Sequence, residues 1–229
     1  MEIIPGIHQV DGVSGNCYIL VRDSLSVIDT GLPGSGKKIL AYIRDRLHRE
    51  PAEIRVIIIT HFHLDHIGGL AALKEAAPGA KVAIGTGDKG YVDGSLRLPV
   101  HSGFRGLLLR VVSIFMRPGQ FTPDILLRDG DRINGLLCIA LPGHTPGSIG
   151  LLDELSKALF SGDIFRSDGS TVTAGPLQFS MDISREHESR LKIASLDFDL
   201  LLPGHGVPLL PGASAKVRDF VQTVTAKER

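Results

Sequence analysis

Between residues 59 and 69 the chain reads ITHFHLDHIGG, which places His61, His63, Asp65 and His66 within six positions, directly after a run of β-branched apolar residues. Histidine is a mediocre former of strands and helices, so folding alone gives little reason for such a cluster. Metal coordination gives a direct one. In an extended segment the pattern H-F-H puts both imidazoles on one face, because strand side chains alternate with period two. Asp65 and His66 follow at the turn, where a helix beginning near Ile67 would aim them at the same point. Neutral imidazole nitrogens together with a carboxylate suit zinc, iron or manganese. Two ions would need more ligands than these four. The chain offers them at the ends of three later apolar runs: His144 in LPGH, Asp163 in FSGD and His205 in LLPGH. The competing account, buried and hydrogen-bonded histidines with no ion, suits a lone histidine better than three with an aspartate and three matched partners.

The elements that must carry these residues alternate between strand and helix. GIHQV, NCYILVR and LSVID read as short strands, and TGLPGSG as a turn after which Ser35 caps a helix through about His48. Pro51 ends that helix, and IRVIIIT reads as a fully buried strand. GGLAALKEAAPG reads as a helix and AKVAIG as a strand. Later, a hairpin signal stands at Asp129–Gly130, and GLLCIALPGH, SIGLLD and KALFSGD read as three further strands. A helix over about Arg185–Leu196, the strand and turn FDLLLPGH, and a closing helix SAKVRDFVQTV complete the pattern. A sheet covered by helices is the architecture such alternation predicts, and strand ends on one edge are where its site is assembled. No fixed-period repeat or linker divides the chain, so residues 1–229 are expected to form a single domain.

Composition narrows the function classes. The 229 residues are 43% hydrophobic and 22% charged, as in a soluble globular protein. Lys+Arg and Asp+Glu balance at 25 each, so no global field favours nucleic acid. The start lacks the features of a signal peptide, and the longest strongly apolar run, GLLLRVVSIFM, has 11 residues with an arginine inside, too short for a membrane span. Cys17 and Cys138 stand far apart and read as reduced, buried thiols. A cytoplasmic location is the expectation.

With its downstream His, Asp and His, HFHLDH resembles the metallo-β-lactamase superfamily, and SVIDTG, PGHTPGS and PGHG strengthen the likeness from about Asn16 to Pro208. The resemblance implies a four-layer αββα sandwich, two mixed β-sheets face to face with helices outside and a metal site along one edge. It implies His61, His63 and His144 as ligands of a first metal, Asp65, His66 and His205 as ligands of a second, and Asp163 as the bridge. Two divalent ions, zinc first and iron or manganese next, would share a water and lower its pKa toward about 7. Asp65 would orient that nucleophile and handle its proton. Asp29 is outside the ligand pattern and is expected to hold an imidazole tautomer or the turn.

Departures from relatives sharpen the reading. β-Lactamases of the superfamily generally lack the bridging Asp, and one of their classes uses a Cys ligand; here Asp163 is present and neither cysteine has a ligand context. Arg166 stands where lactonases of the superfamily resemble one another in a Tyr, and GDIFRSDG departs from the glyoxalase II and persulfide dioxygenase pattern after the bridging Asp. A hydrolase of a small ester, thioester or lactone is the main expectation. The alternatives are a mononuclear iron oxygenase of the persulfide dioxygenase type and a metal-stabilised binding module without catalysis. The expected partner is a small-molecule substrate, with no nucleic acid and no membrane span.

The region 93–123 contains FRGLLLRVVSIFMRPG, which on a helical wheel is apolar except for an arc holding Gly106, Arg110, Ser113 and Arg117. Core filling, a lid, a pocket wall over the metals, or a homodimer contact are the roles open to it. His48 and His187 read as solvated helix positions, His8 as half-exposed on a strand, and His101 as a candidate substrate contact.

Overall fold

The computed structural model describes residues 1–97 and 120–227. Seven strands lie side by side in chain order in one sheet: β1 (Glu2–Ile4), β2 (Ile7–Gln9), β3 (Tyr18–Val21), β4 (Leu25–Ile28), β5 (Ile54–Ile59), β6 (Lys81–Gly85) and β7 (Ile125–Leu127). The first four pair antiparallel, and β4 to β7 pair parallel. Parallel neighbours need long crossovers. Here α1 (Ser35–Asp45) joins β4 to β5, and α2 (Leu64–Ile67) with α3 (Leu70–Ala76) joins β5 to β6. A further short helix, α4 (Lys89–Val92), follows β6.

The second sheet has six strands. β8 (Arg132–Ile133), β9 (Leu136–Ala140), β10 (Ile149–Asp153), β11 (Ala158–Asp168) and β12 (Val172–Ala174) form an antiparallel meander. The chain then crosses through α5 (Ile183–Ala194), and β13 (Leu200–Val207) lies parallel to β11. A closing helix, α6 (Ala213–Lys227), follows.

Period-two alternation builds the layers. Along β5, Ile57 and Ile59 pack toward α1 and α3 with Ile39, Ile43 and Leu73. Val56 and Ile58 point the other way and meet Phe160, Leu200 and Leu202 of the second sheet. On the far side, Leu159 and Leu201 pack with Ile193 of α5 and Val217 of α6. Each such side chain contributes about 1.5–3 kcal/mol when fully buried. The result is the expected αββα sandwich of two mixed sheets. Cys17 and Cys138 are free and buried, and burial pushes the Cys138 thiol up to about 12.

Several local expectations change. Helix α1 ends at Asp45, so exposed His48 lies beyond it with φ 52°. Arg55 interrupts the burial of β5. The Asp129–Gly130 turn makes no hairpin; it carries the chain from β7 in the first sheet to β8 in the second. A two-residue hairpin stands instead at Asn134–Gly135, joining β8 to β9 with φ 47° and 82°, the double positive φ that favours Asn-Gly. Strands β11 and β13 run past their expected ends, so Asp163 and His205 lie within strands rather than after them. The helix expected near Ile67 begins at Leu64 and already contains Asp65 and His66. The apolar helix expected within 104–119, and His101 with it, lies outside the described residues. Among the described residues, no helix is long and apolar enough to cross a membrane.

Candidate metal centre

Four pieces of chain meet at one edge of the sandwich. The segment leaving β5 carries His61 and His63, and α2 carries Asp65 and His66. The β9–β10 connection carries His144, while β11 and β13 bring Asp163 and His205. All seven residues expected from the sequence come together, in three overlapping groups whose ligand atoms lie within 4.8 Å of one another: His61, His63 and His144; His61, His66 and Asp163; Asp65, His66 and His205. In the first group His63 Nδ1 is 3.1 Å from His61 Nε2 and 3.0 Å from His144 Nε2. In the third, His205 Nε2 is 3.0 Å from Asp65 Oδ2 and His66 Nε2 is 4.0 Å from the same oxygen. Asp163 reaches both groups, with Oδ2 3.7 Å from His144 Nε2 and 3.3 Å from His205 Nε2 and Oδ1 3.4 Å from His66 Nε2.

The two halves differ in charge. Burial holds His61 well below its ordinary value, with the neighbouring His66 and His63 adding to the effect. Burial likewise pushes His63 down to about 3 and His144 to about 4. These three rings are neutral at pH 7, and His61 Nε2, His63 Nδ1 and His144 Nε2 face one another. In the other half, burial disfavours the charge on His66, but Asp29 and Asp163 overcome it and hold the ring well above its ordinary value. Hydrogen bonding to Asp163 and Asp65 raises His205 to about 9. Burial opposes ionisation of Asp163 and Asp65, and the charge on His66 with bonding to His205 lowers both nonetheless.

Buried hydrogen bonds orient the rings. Asp29 Oδ2 lies 2.8 Å from His66 Nδ1, so Asp29 does hold an imidazole, as expected. It also accepts from the Thr60 backbone N–H at 2.8 Å and from the Thr60 hydroxyl at 2.7 Å, with Thr60 Oγ1 3.1 Å from His61 Nδ1. Three further residues carry no local signal in the sequence. Asp88, fully buried, accepts from Phe62 N–H at 2.9 Å, Thr145 Oγ1 at 2.7 Å and Gly147 N–H at 2.6 Å. It thus ties the His61–His63 segment to the loop carrying His144. Burial pushes its carboxyl up to about 6 against the pull of those three donors. Ser180 and buried Glu186 stand behind His144, whose Nδ1 is 3.3 Å from Ser180 Oγ.

The donor set fits divalent metal ions. Imidazole nitrogens and carboxylate oxygens are the ligands such ions take. The buried atoms His66 Nε2 and Asp163 Oδ1 face each other as an ion pair at 3.4 Å but meet no hydrogen bond of good geometry, which leaves both under-satisfied unless something else bonds them. Gly204 keeps the space beside them clear. A Cβ there would overlap Asp163 Oδ1 and come within 2.9 Å of His66 Cε1. Imidazole nitrogens and carboxylates gathered at one point are stabilised by cations, which would displace the protons the nitrogens carry.

Comparison with known proteins agrees with this geometry. Residues 10–205 match the family model described as the metallo-beta-lactamase superfamily. The chain is similar to the uncharacterized protein YobT of Bacillus subtilis (strain 168), 30% identical over 223 residues that cover 90% of this chain and 89% of the relative. It is 32% identical over 206 residues to the acyl-coenzyme A thioesterase MBLAC2 of Bos taurus, covering 81% and 71%. It is 27% identical over 229 residues to the hydroxyacylglutathione hydrolase GloC of Haemophilus influenzae, covering 97% and 98%. Among solved structures, the fold is similar to a Cronobacter sakazakii metallo-β-lactamase with an HARLDQ motif, with a TM-score of 0.74 at 20% identity over 100% of this chain and 93% of that one. It is also similar to TTHA1623 in a di-iron-bound form, with a TM-score of 0.68 at 22% identity, covering 92% and 97%.

Proposed function

The chain belongs to the metallo-β-lactamase superfamily, and from that premise we propose that it is a metal-dependent hydrolase of a small thioester, ester or lactone. The observation that carries the reading is the convergence of seven ligand-type side chains, from four separate pieces of chain, on one edge of the sandwich. His61, His63 and His144 would hold one ion, Asp65, His66 and His205 a second, and Asp163 both. Two divalent ions so held, zinc first, would bring the pKa of a water toward about 7 and polarise the acyl oxygen under attack. A solved neighbour is described with two irons, so iron belongs in the test beside zinc.

The chain's own residues do the rest. The Asp65 side chain is 32% exposed and that of Asp163 only 6%, so Asp65 alone of the two carboxylates faces incoming solvent. Asp65 takes the proton of the attacking water as its oxygen bonds to the acyl carbon. The carbon–sulfur or carbon–oxygen bond then breaks, and the proton passes from Asp65 to the leaving group, giving a carboxylic acid and a thiol or alcohol. Asp29 and Thr60 keep His61 and His66 facing the cluster while this happens, and Asp88 keeps the two ligand loops together.

Relatives named as an acyl-coenzyme A thioesterase and a hydroxyacylglutathione hydrolase put thioesters first among the compounds to try. The test is a panel of acyl-coenzyme A and acyl-glutathione thioesters, carboxylic esters and lactones, offered to zinc- and iron-loaded protein. Chelator-sensitive turnover of at least one acyl class is expected, with thioesters fastest. Full metal loading with no turnover across the panel would overturn the proposal.

A further inference from the structure

His61 and His144 are each backed by a hydroxyl and a carboxylate in the same order. For His61 the ring Nδ1 meets Thr60 Oγ1, whose proton goes to Asp29. For His144 the ring Nδ1 lies 3.3 Å from Ser180 Oγ, and the Ser180 hydroxyl bonds to Glu186 Oε2. Glu186 is fully buried on α5, and its other oxygen accepts from Arg190 Nη1 at 2.5 Å. Burial disfavours the charge on Glu186, but the Arg190 guanidinium paired with it favours the carboxylate, which has no proton to give, so Ser180 is the donor in that bond. Its oxygen is then left to accept, and the only donor His144 can offer it is an Nδ1–H. The neutral ring consequently carries its lone pair on Nε2, the atom that faces His63 Nδ1 and Asp163 Oδ2. The segment is pinned in place, since Met181 N–H donates to the carbonyls of Gly143 and His144, both at 3.1 Å.

We propose that Ser180 and Glu186 are positioning residues, which set the tautomer of His144 and thereby the strength of the metal site that His61, His63 and His144 form. Neither residue belongs to the ligand pattern of the superfamily. The inference rests on the metal-dependent reading of the cluster. Losing such a partner typically weakens metal binding 10–100-fold.

The test uses the full chain loaded with zinc. Zinc affinity is measured by competition with a chromophoric chelator, and the imidazole N–H protons are followed by NMR. Wild type should show a slowly exchanging Nδ1–H signal from His144. Ser180→Ala should lose that signal and about 10- to 100-fold of its affinity at one zinc site, and Ser180→Thr, which keeps the hydroxyl, should restore both. A wild-type protein in which that proton exchanges freely would overturn the proposal without recourse to any variant. So would a Ser180→Ala protein that keeps wild-type affinity, even with a lowered melting temperature, because that is the signature of a merely structural role. Failure of wild type to bind zinc or iron at all is a separate result, and it would overturn the metal-dependent reading as well.

Discussion

Replacing Asp88 by Asn isolates the electrostatics of the bridge between the two ligand loops. In the folded state burial raises the Asp88 carboxyl from its ordinary 3.8 to about 6. A shift of about two units is worth about 3 kcal/mol between the protonation states. Because the folded value is the higher one, the folded chain binds a proton between those two pH values that the unfolded chain does not. Stability from this group therefore rises as pH falls through 6 and is fully present below 3.8. Between about pH 7.5 and about pH 5 the accessible part is between about 1 and 2 kcal/mol. For a chain of this size that is roughly 2–8 °C in Tm. Asn cannot titrate, so the stability gap between wild type and Asp88→Asn should widen in favour of wild type by that amount on acidification. All other titrating groups are common to both proteins and cancel.

At the higher pH two effects offset in the variant. It no longer buries a charge, but its amide must face either the Phe62 or the Gly147 N–H with another N–H, at about 1–3 kcal/mol. Asp88→Ala has no such relief. It strands both backbone donors and should cost about 2–6 kcal/mol. Urea unfolding of the metal-free proteins, followed by circular dichroism at both pH values, reads all of these quantities. A gap between wild type and Asp88→Asn that stays constant with pH would refute the reasoning, since the three donors would then be stabilising the charge as much as burial opposes it. An alanine variant within about 1 kcal/mol of wild type would show that the bridge does not hold the loops.

Two other substitutions probe the site itself. Asp65→Ala should lower kcat far more than it raises KM, because its proton handling belongs to the transition state; steady-state kinetics showing only a raised KM would make Asp65 a substrate contact instead. Gly204→Ala pushes a methyl group against Asp163 and His66, and misplacement of this kind should cost on the order of 100-fold in kcat/KM with circular dichroism unchanged. Unimpaired kinetics in that variant would mean the backbone at Gly204 yields without disturbing Asp163.

The parts of the molecule visible in the sequence are those encoded locally. His61, His63, Asp65 and His66 sit within six residues of one another, and the alternation Val56–Ile57–Ile58–Ile59 marks two buried faces wherever that strand is placed. His144, Asp163 and His205 are legible because glycines and apolar runs frame them, although β11, with Gly162 at φ 53°, and β13 both run on past the expected ends. Asp88, Ser180 and Glu186 were not legible. Asp88 takes its donors from 26, 57 and 59 positions away. Glu186 and Arg190 form an i, i+4 pair that in a sequence reads as an exposed helix face, and only the docking of α5 against the second sheet buries it. The misplaced hairpin has a similar cause. Asp129–Gly130 and Asn134–Gly135 carry equal local signals, and which of them folds back is decided by the sheet each flanking strand joins.

The central claim is that these seven side chains form a two-ion site bridged by Asp163. Elemental analysis of the reconstituted, gel-filtered protein, calibrated against protein concentration, tests it most directly when wild type and Asp163→Asn are run together. About two divalent ions per wild-type chain are expected, and about one or fewer in the variant, with its fold intact by circular dichroism. A wild-type chain that emerges without stoichiometric metal, or a variant that retains the full wild-type complement, would contradict it.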